Sequence, residues 1–129
     1  MGRGILLDTS VVILHLRGRL DLATKAPSAE PLFLSLTALG ELYKGVLKSA
    51  QPERNRAILE AFLQTVAVLH PDAGTALHYA QISAQLERQG TPIPENDIWI
   101  AAVAMECAMP LAARDAHFAQ IIGLQLLSW

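Results

Sequence analysis

Short apolar runs alternate along this chain with longer segments in which apolar residues recur at helical spacing, the signatures of buried strands and of helices packed on one face. Residues 4–8 read as a strand, and residues from about 10 to 17 as a helix halted at Gly18. Residues 27–31, bounded by two prolines, read as a loop. Residues 32–36 form a second predicted strand, and Thr37 is the expected N-cap of a helix reaching about Ser49. Pro52 and Glu53 open a helix to about Thr65, residues 66–70 make a short strand, and Pro71 and Asp72 open a long helix ending near Gly90. Thr91-Pro92-Ile93-Pro94 is an extended connection, because each proline turns the residue before it away from helix. A further helix spans about 95–107. Residues 110–113 and 125–128 are the last predicted strands, with a short helix around 117–121 between them.

Strands alternating with helices imply an α/β fold whose mainly parallel sheet is covered by helices on both faces. No repeat, low-complexity run or linker interrupts residues 1–129, so one domain is expected. Sheets of this kind bind ligands beyond the carboxyl ends of their strands, where the strand order reverses. Four carboxylates stand in or beside apolar strings: Asp8 after Ile5-Leu6-Leu7, Glu41 within 37–47, Asp97 before Ile98-Trp99-Ile100, and Asp115 just after 110–113. Asp8 and Asp115 fall where two predicted strands end. Buried acid is costly unless it is paired or holds a metal, so the working expectation is that the four converge on a divalent cation.

Composition narrows the picture. Hydrophobic residues make up 52% of the 129 and charged residues 17%, and aromatics are scarce, so the apolar mass is chiefly Leu, Ala, Ile and Val. That is richer than an ordinary soluble domain and predicts either a very full core or a face covered by a partner. A net charge of −2 gives no general attraction for nucleic acid or anionic lipid, so any nucleic-acid contact must be local. The one cysteine, Cys107, makes neither an internal disulfide nor a thiolate metal site. No N-terminal signal segment is legible, and no apolar run approaches the roughly 20 residues that span a bilayer. The expectation is a soluble, cytoplasmic protein without membrane contact.

Each acid also has a structural explanation. Asp8 in Leu7-Asp8-Thr9-Ser10 suits a helix cap or turn. Glu41 lies off the apolar stripe of Ala38, Leu39, Leu42, Tyr43, Val46 and Leu47, where a solvated Glu paired with Lys44 is the usual arrangement. Gly45, one turn on, would let another backbone or a substrate come close, but Glu41 remains the least secure of the four. Asp97 in the first turn of an apolar helix complements the helix dipole, although Glu95 and Asn96 beside it over-provide for that duty. Asp115 suits an N-cap with Arg114 as its surface ion partner. The four histidines show no ligand spacing among themselves; His117 is kept for its closeness to Asp115. There is no phosphate-cradling glycine loop and no nucleophile elbow.

Taken in order, Leu7-Asp8-Thr9-Ser10, Glu41-Leu42 followed by Gly45, Asn96-Asp97-x-x-Ile100-Ala101-Ala102 and Arg114-Asp115-x-x-Phe118 resemble the PIN-domain ribonucleases, specifically the VapC-type toxins of VapBC toxin–antitoxin pairs. The resemblance covers essentially the whole chain. It implies a PIN-like three-layer α/β sandwich in which Asp8, Glu41, Asp97 and Asp115 hold one or two Mg²⁺ or Mn²⁺ ions, Ser10 helps arrange the site and Thr9 assists. Where many relatives carry Thr or Ser before the Arg-Asp pair this chain has Ala113, so a supporting hydroxyl is missing. The resemblance further implies a homodimer held by apolar helix faces. It also implies a cognate VapB-type antitoxin that wraps the chain, blocks the acidic pocket and carries the DNA-binding module, making any contact with DNA indirect.

The chemistry suits the residues. Hard divalent ions prefer carboxylate oxygen, and Mg²⁺ keeps several waters, so a few acids suffice to hold it above a phosphate. The expected activity is metal-dependent endoribonucleolysis of an RNA substrate, leaving 5′-phosphate and 3′-hydroxyl ends, with Lys44, Lys48 and Arg114 as candidate phosphate contacts. Those three cations serve equally as solvated charges or ion partners. Phosphoryl-handling α/β domains are the alternative class. The phosphatase type needs an acid where this chain has Ser10, and the receiver type needs a late lysine where none follows Lys48. A catalytically silent RNA-binding or interaction module is the other alternative.

Overall fold

Ile5, Leu6 and Leu7 are buried on both faces, the pattern of a strand covered by helices from above and below. In the computed structural model, which describes residues 4–27 and 29–129, they form β1 (Ile5–Leu7). There follow α1 (Thr9–Leu16), α2 (Leu22–Lys25), β2 (Leu32–Ser35), α3 (Leu36–Leu47), α4 (Pro52–Leu63), β3 (Ala67–Leu69), α5 (Ala73–Gln89), α6 (Glu95–Glu106), β4 (Leu111–Ala113), a 3₁₀ turn (Ala116–Gln120) and β5 (Leu126–Ser128). The five strands make one sheet in the order β3-β2-β1-β4-β5, and every pairing is parallel. The chain builds outward from β1 to β3, then returns to the other side of β1 to lay down β4 and β5. Strand order therefore reverses between β1 and β4, where Leu7 stands opposite Ala112. The carboxyl ends of these two neighbours make the crevice in which such sheets place ligands.

The core is continuous around the sheet. Leu6, Leu7, Leu34, Leu111 and Ala112 are wholly buried, and α6 contributes Ile98 and Ile100 through Ala104. Alanines at 101, 102 and 104 let α6 sit close to its neighbours. The longest helix, α5, packs along it with the Tyr79 ring stacked on Trp99 at 4.1 Å between centroids. The far end of that helix pair is pinned by buried Thr75, whose hydroxyl donates to Glu106 Oε1 at 2.5 Å and whose amide is capped by Asp72.

Several boundaries differ from the pattern-based expectation. The cap of α3 is Ser35, whose Oγ accepts the Ala38 amide at 3.1 Å, and Thr37 lies inside the helix. Both residue types cap well, and here the last residue of β2 doubles as the cap. The turn of helix α2 falls in a stretch too short to show periodicity; Asp21 caps it and Leu22 anchors it in the core. The segment expected as a helix at 117–121 is a 3₁₀ turn starting at Ala116. Gly18 and Gly90 end α1 and α5 with φ of +72° and +69°, a conformation glycine adopts without strain. Ser28, in the predicted 27–31 loop, lies outside the described residues. Among the described residues no helix is long and apolar enough to cross a membrane.

Leu6 lies in the central strand between Phe33 and Leu111 and has no exposed surface. Leu6→Ala is expected to lower stability by about 2–5 kcal/mol, the usual cost of the lost burial and the cavity left behind. Urea unfolding should show this as a shifted midpoint with an unchanged slope.

Candidate active site

Asp8 is the first residue after β1, and its backbone N–H donates to the Ala112 carbonyl of β4 at 2.9 Å. The residue is 3% exposed. One oxygen, Oδ2, caps α1 by accepting the Ser10 amide at 3.2 Å and the Ser10 hydroxyl at 2.6 Å. The other, Oδ1, is the one fully buried side-chain nitrogen or oxygen among the described residues that has no hydrogen-bond partner. Ser10 Oγ also accepts the Arg114 amide at 3.3 Å, joining the first turn of α1 to the chain just beyond β4. Burial pushes the Asp8 carboxyl above its ordinary range; the Ser10 bonds pull the other way, and the charge of Asp115 adds to the rise.

Glu41 is not the solvated partner of Lys44. It is half-buried on α3 and accepts hydrogen bonds from two other elements: the Thr9 hydroxyl of α1 at 2.6 Å on Oε1, and the Asn96 amide of α6 at 3.3 Å on Oε2. Asp97 stands in the first turn of α6, whose N-cap Pro94 offers no side-chain acceptor. Its Oδ2 accepts from His117 Nε2 at 2.7 Å. Burial raises the Asp97 pKa most, and the negative charge of Asp8 adds to it; His117 opposes the rise, and Glu41 contributes a smaller increase.

Asp115 follows β4 as expected but is exposed, and although it occupies the N-cap position of the 3₁₀ turn its side chain makes no cap bond. Asp115 rather than Glu41 is the acid least tied to its neighbours. Arg114 does not pair with it; its guanidinium donates to the Trp129 carbonyl. Lys44 and Lys48 are exposed on α3. Ala113 is buried as the last residue of β4.

The four acids thus come from the ends of β1 and β4, the flank of α3 and the mouth of α6. Asp8 feels the charge of Asp115, and Asp97 feels Asp8 and Glu41. Two helix N-termini, those of α1 and α6, add partial positive charge at the same place. Among the described residues no three His, Cys, Asp or Glu side chains are already gathered round one ion-sized point. The donor set nevertheless fits a hard cation: it is all carboxylate oxygen, and one of the buried oxygens, Asp8 Oδ1, has no hydrogen-bond partner. Beside Glu41 a cavity of about 210 Å³ opens between α1, α3 and α4, lined by Ile13, Leu16, Leu42, Val46 and Leu59. Gly45 is on its wall, and a Cβ added there would meet nothing in the protein. Asn96 gained weight only in three dimensions; its signal was a polar residue directly before Asp97. His117, kept for its closeness to Asp115, bonds Asp97 instead.

Comparison with known proteins gives a consistent result. The PIN domain family matches residues 5–124. The chain is 35% identical over 127 residues to ribonuclease VapC2 of Haemophilus influenzae, covering 96% of each. It is 33% identical over 132 residues to the tRNA(fMet)-specific endonuclease VapC of Salmonella typhimurium, again covering 96% of each. Among solved structures, DNA-bound VapBC from Salmonella typhimurium superposes with a TM-score of 0.91 at 30% identity, covering 100% of this chain and 99% of that one. VapBC-1 from nontypeable Haemophilus influenzae gives 0.85 at 31% identity, covering 97% of each.

The raised pKa of Asp8 has a stability consequence in the metal-free protein. A carboxyl whose folded pKa lies above its ordinary value of 3.8 contributes stability that is fully present below that value and is lost as pH rises through the folded pKa. Asp8→Asn keeps a capping oxygen for Ser10 and removes the charge. The variant is expected to unfold at a higher temperature than wild type at pH 7.5 in EDTA, with the advantage vanishing below about pH 4 as the wild-type acid is neutralised. Thermal unfolding at the two pH values checks this.

Proposed function

The chain belongs to the PIN-domain family, and on that premise we propose that it is a VapC-type endoribonuclease, the toxin of a type II toxin–antitoxin pair, using Mg²⁺ or Mn²⁺ to hydrolyse RNA phosphodiesters. The nuclease assignment is supported by relatives named ribonuclease or endonuclease over nearly their full length. Metal dependence is carried by one observation: the buried Asp8 Oδ1 has no partner, and the acids nearest to it by charge are Asp97 and Asp115.

Asp8, Asp97 and Asp115 would be the main ligands, with Glu41 binding metal or orienting water. A bound divalent cation would lower the pKa of its water and neutralise charge on the scissile phosphate. The chain's own residues hold the acids in place for that role. Ser10 fixes one oxygen of Asp8 and leaves the other free. Thr9 and Asn96 draw Glu41 toward the mouth of α6. Lys44 and Lys48, exposed one and two turns beyond Glu41, would meet RNA phosphates at the rim. Arg114 would have to leave the Trp129 carbonyl to do the same. The products would carry 5′-phosphate and 3′-hydroxyl ends.

A cognate VapB-type antitoxin and a homodimer belong to the same proposal. Several solved neighbours are VapBC complexes, some of them bound to DNA. Apolar side chains also remain exposed, Leu47 at 68% and Ile122 at 69% among them, and a partner would cover such surface. The setting would be cytoplasmic, and contact with DNA would come through the antitoxin.

Purified protein is expected to cleave RNA with Mg²⁺ or Mn²⁺ and to lose activity in EDTA. Asp97→Asn is expected to reduce cleavage about 100-fold or more, since metal-assisted charge stabilisation is worth several kcal/mol and each ~1.4 kcal/mol is a factor of ten. Gel analysis of labelled RNA reads both outcomes. Cleavage that persists in EDTA or in the variant overturns the metal mechanism.

A further inference from the structure

We infer that His117 is the positioning residue of Asp97: it holds one oxygen of that carboxylate and so sets which oxygen is free for a cation. This rests on the metal-dependent site proposed above. His117 Nε2 lies 2.7 Å from Asp97 Oδ2, the length of a charge-assisted bond. Side-chain exposure is only 32% for His117 and 15% for Asp97, so water competes weakly for the bond.

The ring is itself anchored. It sits in the 3₁₀ turn after β4, tilted against Phe118 at 4.9 Å between centroids, and Phe118 is wholly buried. Asp97 needs such a donor, because it is largely shielded from water and faces the charges of Asp8 and Glu41. Each of its two neighbours has its own: Ser10 holds Asp8, while Thr9 and Asn96 hold Glu41. For Asp97 the hydrogen bond to a side chain comes from His117, and no such bond to Oδ1 is made among the described residues. Asp115, the acid of the same segment, is exposed and makes no side-chain cap bond. The segment after β4 therefore acts on the site through His117 as well as through its own acid.

The placement has a chemical consequence. With Oδ2 engaged, Oδ1 is the oxygen that would be left for a cation, and the bond to His117 restrains the carboxylate from swinging away. Outer partners of metal ligands typically contribute a factor of about 10–100 in metal affinity.

The test is Mn²⁺ binding to the full chain, read from the electron paramagnetic resonance signal of free Mn²⁺, alongside RNA cleavage over a range of Mn²⁺ concentrations. His117→Ala removes the donor, His117→Met removes it while keeping bulk, and His117→Gln keeps an N–H donor at similar reach. Circular dichroism confirms that each variant is folded. The Ala and Met variants are expected to bind Mn²⁺ about 10–100-fold more weakly, with cleavage lost at low Mn²⁺ and largely recovered at saturation. The Gln variant is expected to stay close to wild type in both readouts. Wild-type affinity in the Ala and Met variants overturns the inference, and so does equal weakening in all three, which would mark the imidazole as a ligand. Failure of wild-type protein itself to bind Mn²⁺ overturns the metal site proposed above, and this inference with it.

Discussion

A carboxylate held in an apolar wall, with one oxygen that the protein leaves unbonded, is the constraint around which this site is built. Asp8 emerges from β1 between the ends of β2 and β4, and its burial is unfavourable to its own charge. The chain offsets part of that cost locally through Ser10. It adds to the rest by placing further acids within range of one another. A fold that gained nothing from a clustered negative field would place an apolar or neutral residue there. The arrangement is a standing electrostatic debt that a cation would relieve.

The hydrogen bonds that hold the acids run between elements rather than within them. Thr9 ties α1 to α3, Asn96 ties α6 to α3, His117 ties the 3₁₀ turn to α6, and the Arg114 amide ties the end of β4 to Ser10. The sheet order makes this possible, because β1 and β4 are neighbours and their carboxyl ends open on the same side. The mouths of α1 and α6 supply further backbone dipoles at the same point.

Much of this was legible along the chain. Fully apolar triplets such as Ile5-Leu6-Leu7 identify strands of a covered parallel sheet, and their alternation with helices gives the layers. Asp8 and Asp115 could be set at strand ends because Asp8 directly follows an apolar run and Asp115 follows one with only Arg114 between. Glu41 was harder to read, since a helical wheel shows only which side of its own helix a residue faces. Its partners, Thr9 and Asn96, lie 32 and 55 residues away. The exposure of Asp115 and the turn of Arg114 toward Trp129 were invisible for the same reason, because they depend on how the segments on either side of the 3₁₀ turn pack. The shift of the α3 cap from Thr37 to Ser35 reflects two good capping residues close together, between which only the end of β2 decides.

The contact between Ser10 and the Arg114 amide spans 104 residues of chain. Strand β1 is made well before its neighbour β4 and the turn that carries His117. Long-range parallel pairing of this kind forms late and slowly. Until β4 docks, Asp8 has no β4 edge beside it, Ser10 lacks its bond to the Arg114 amide, and Asp97 lacks His117. A nascent chain emerging from the ribosome therefore carries no assembled site until β4 and that turn have been made. Whatever chemistry the acids perform is delayed, by topology alone, until β4 and the turn after it have emerged.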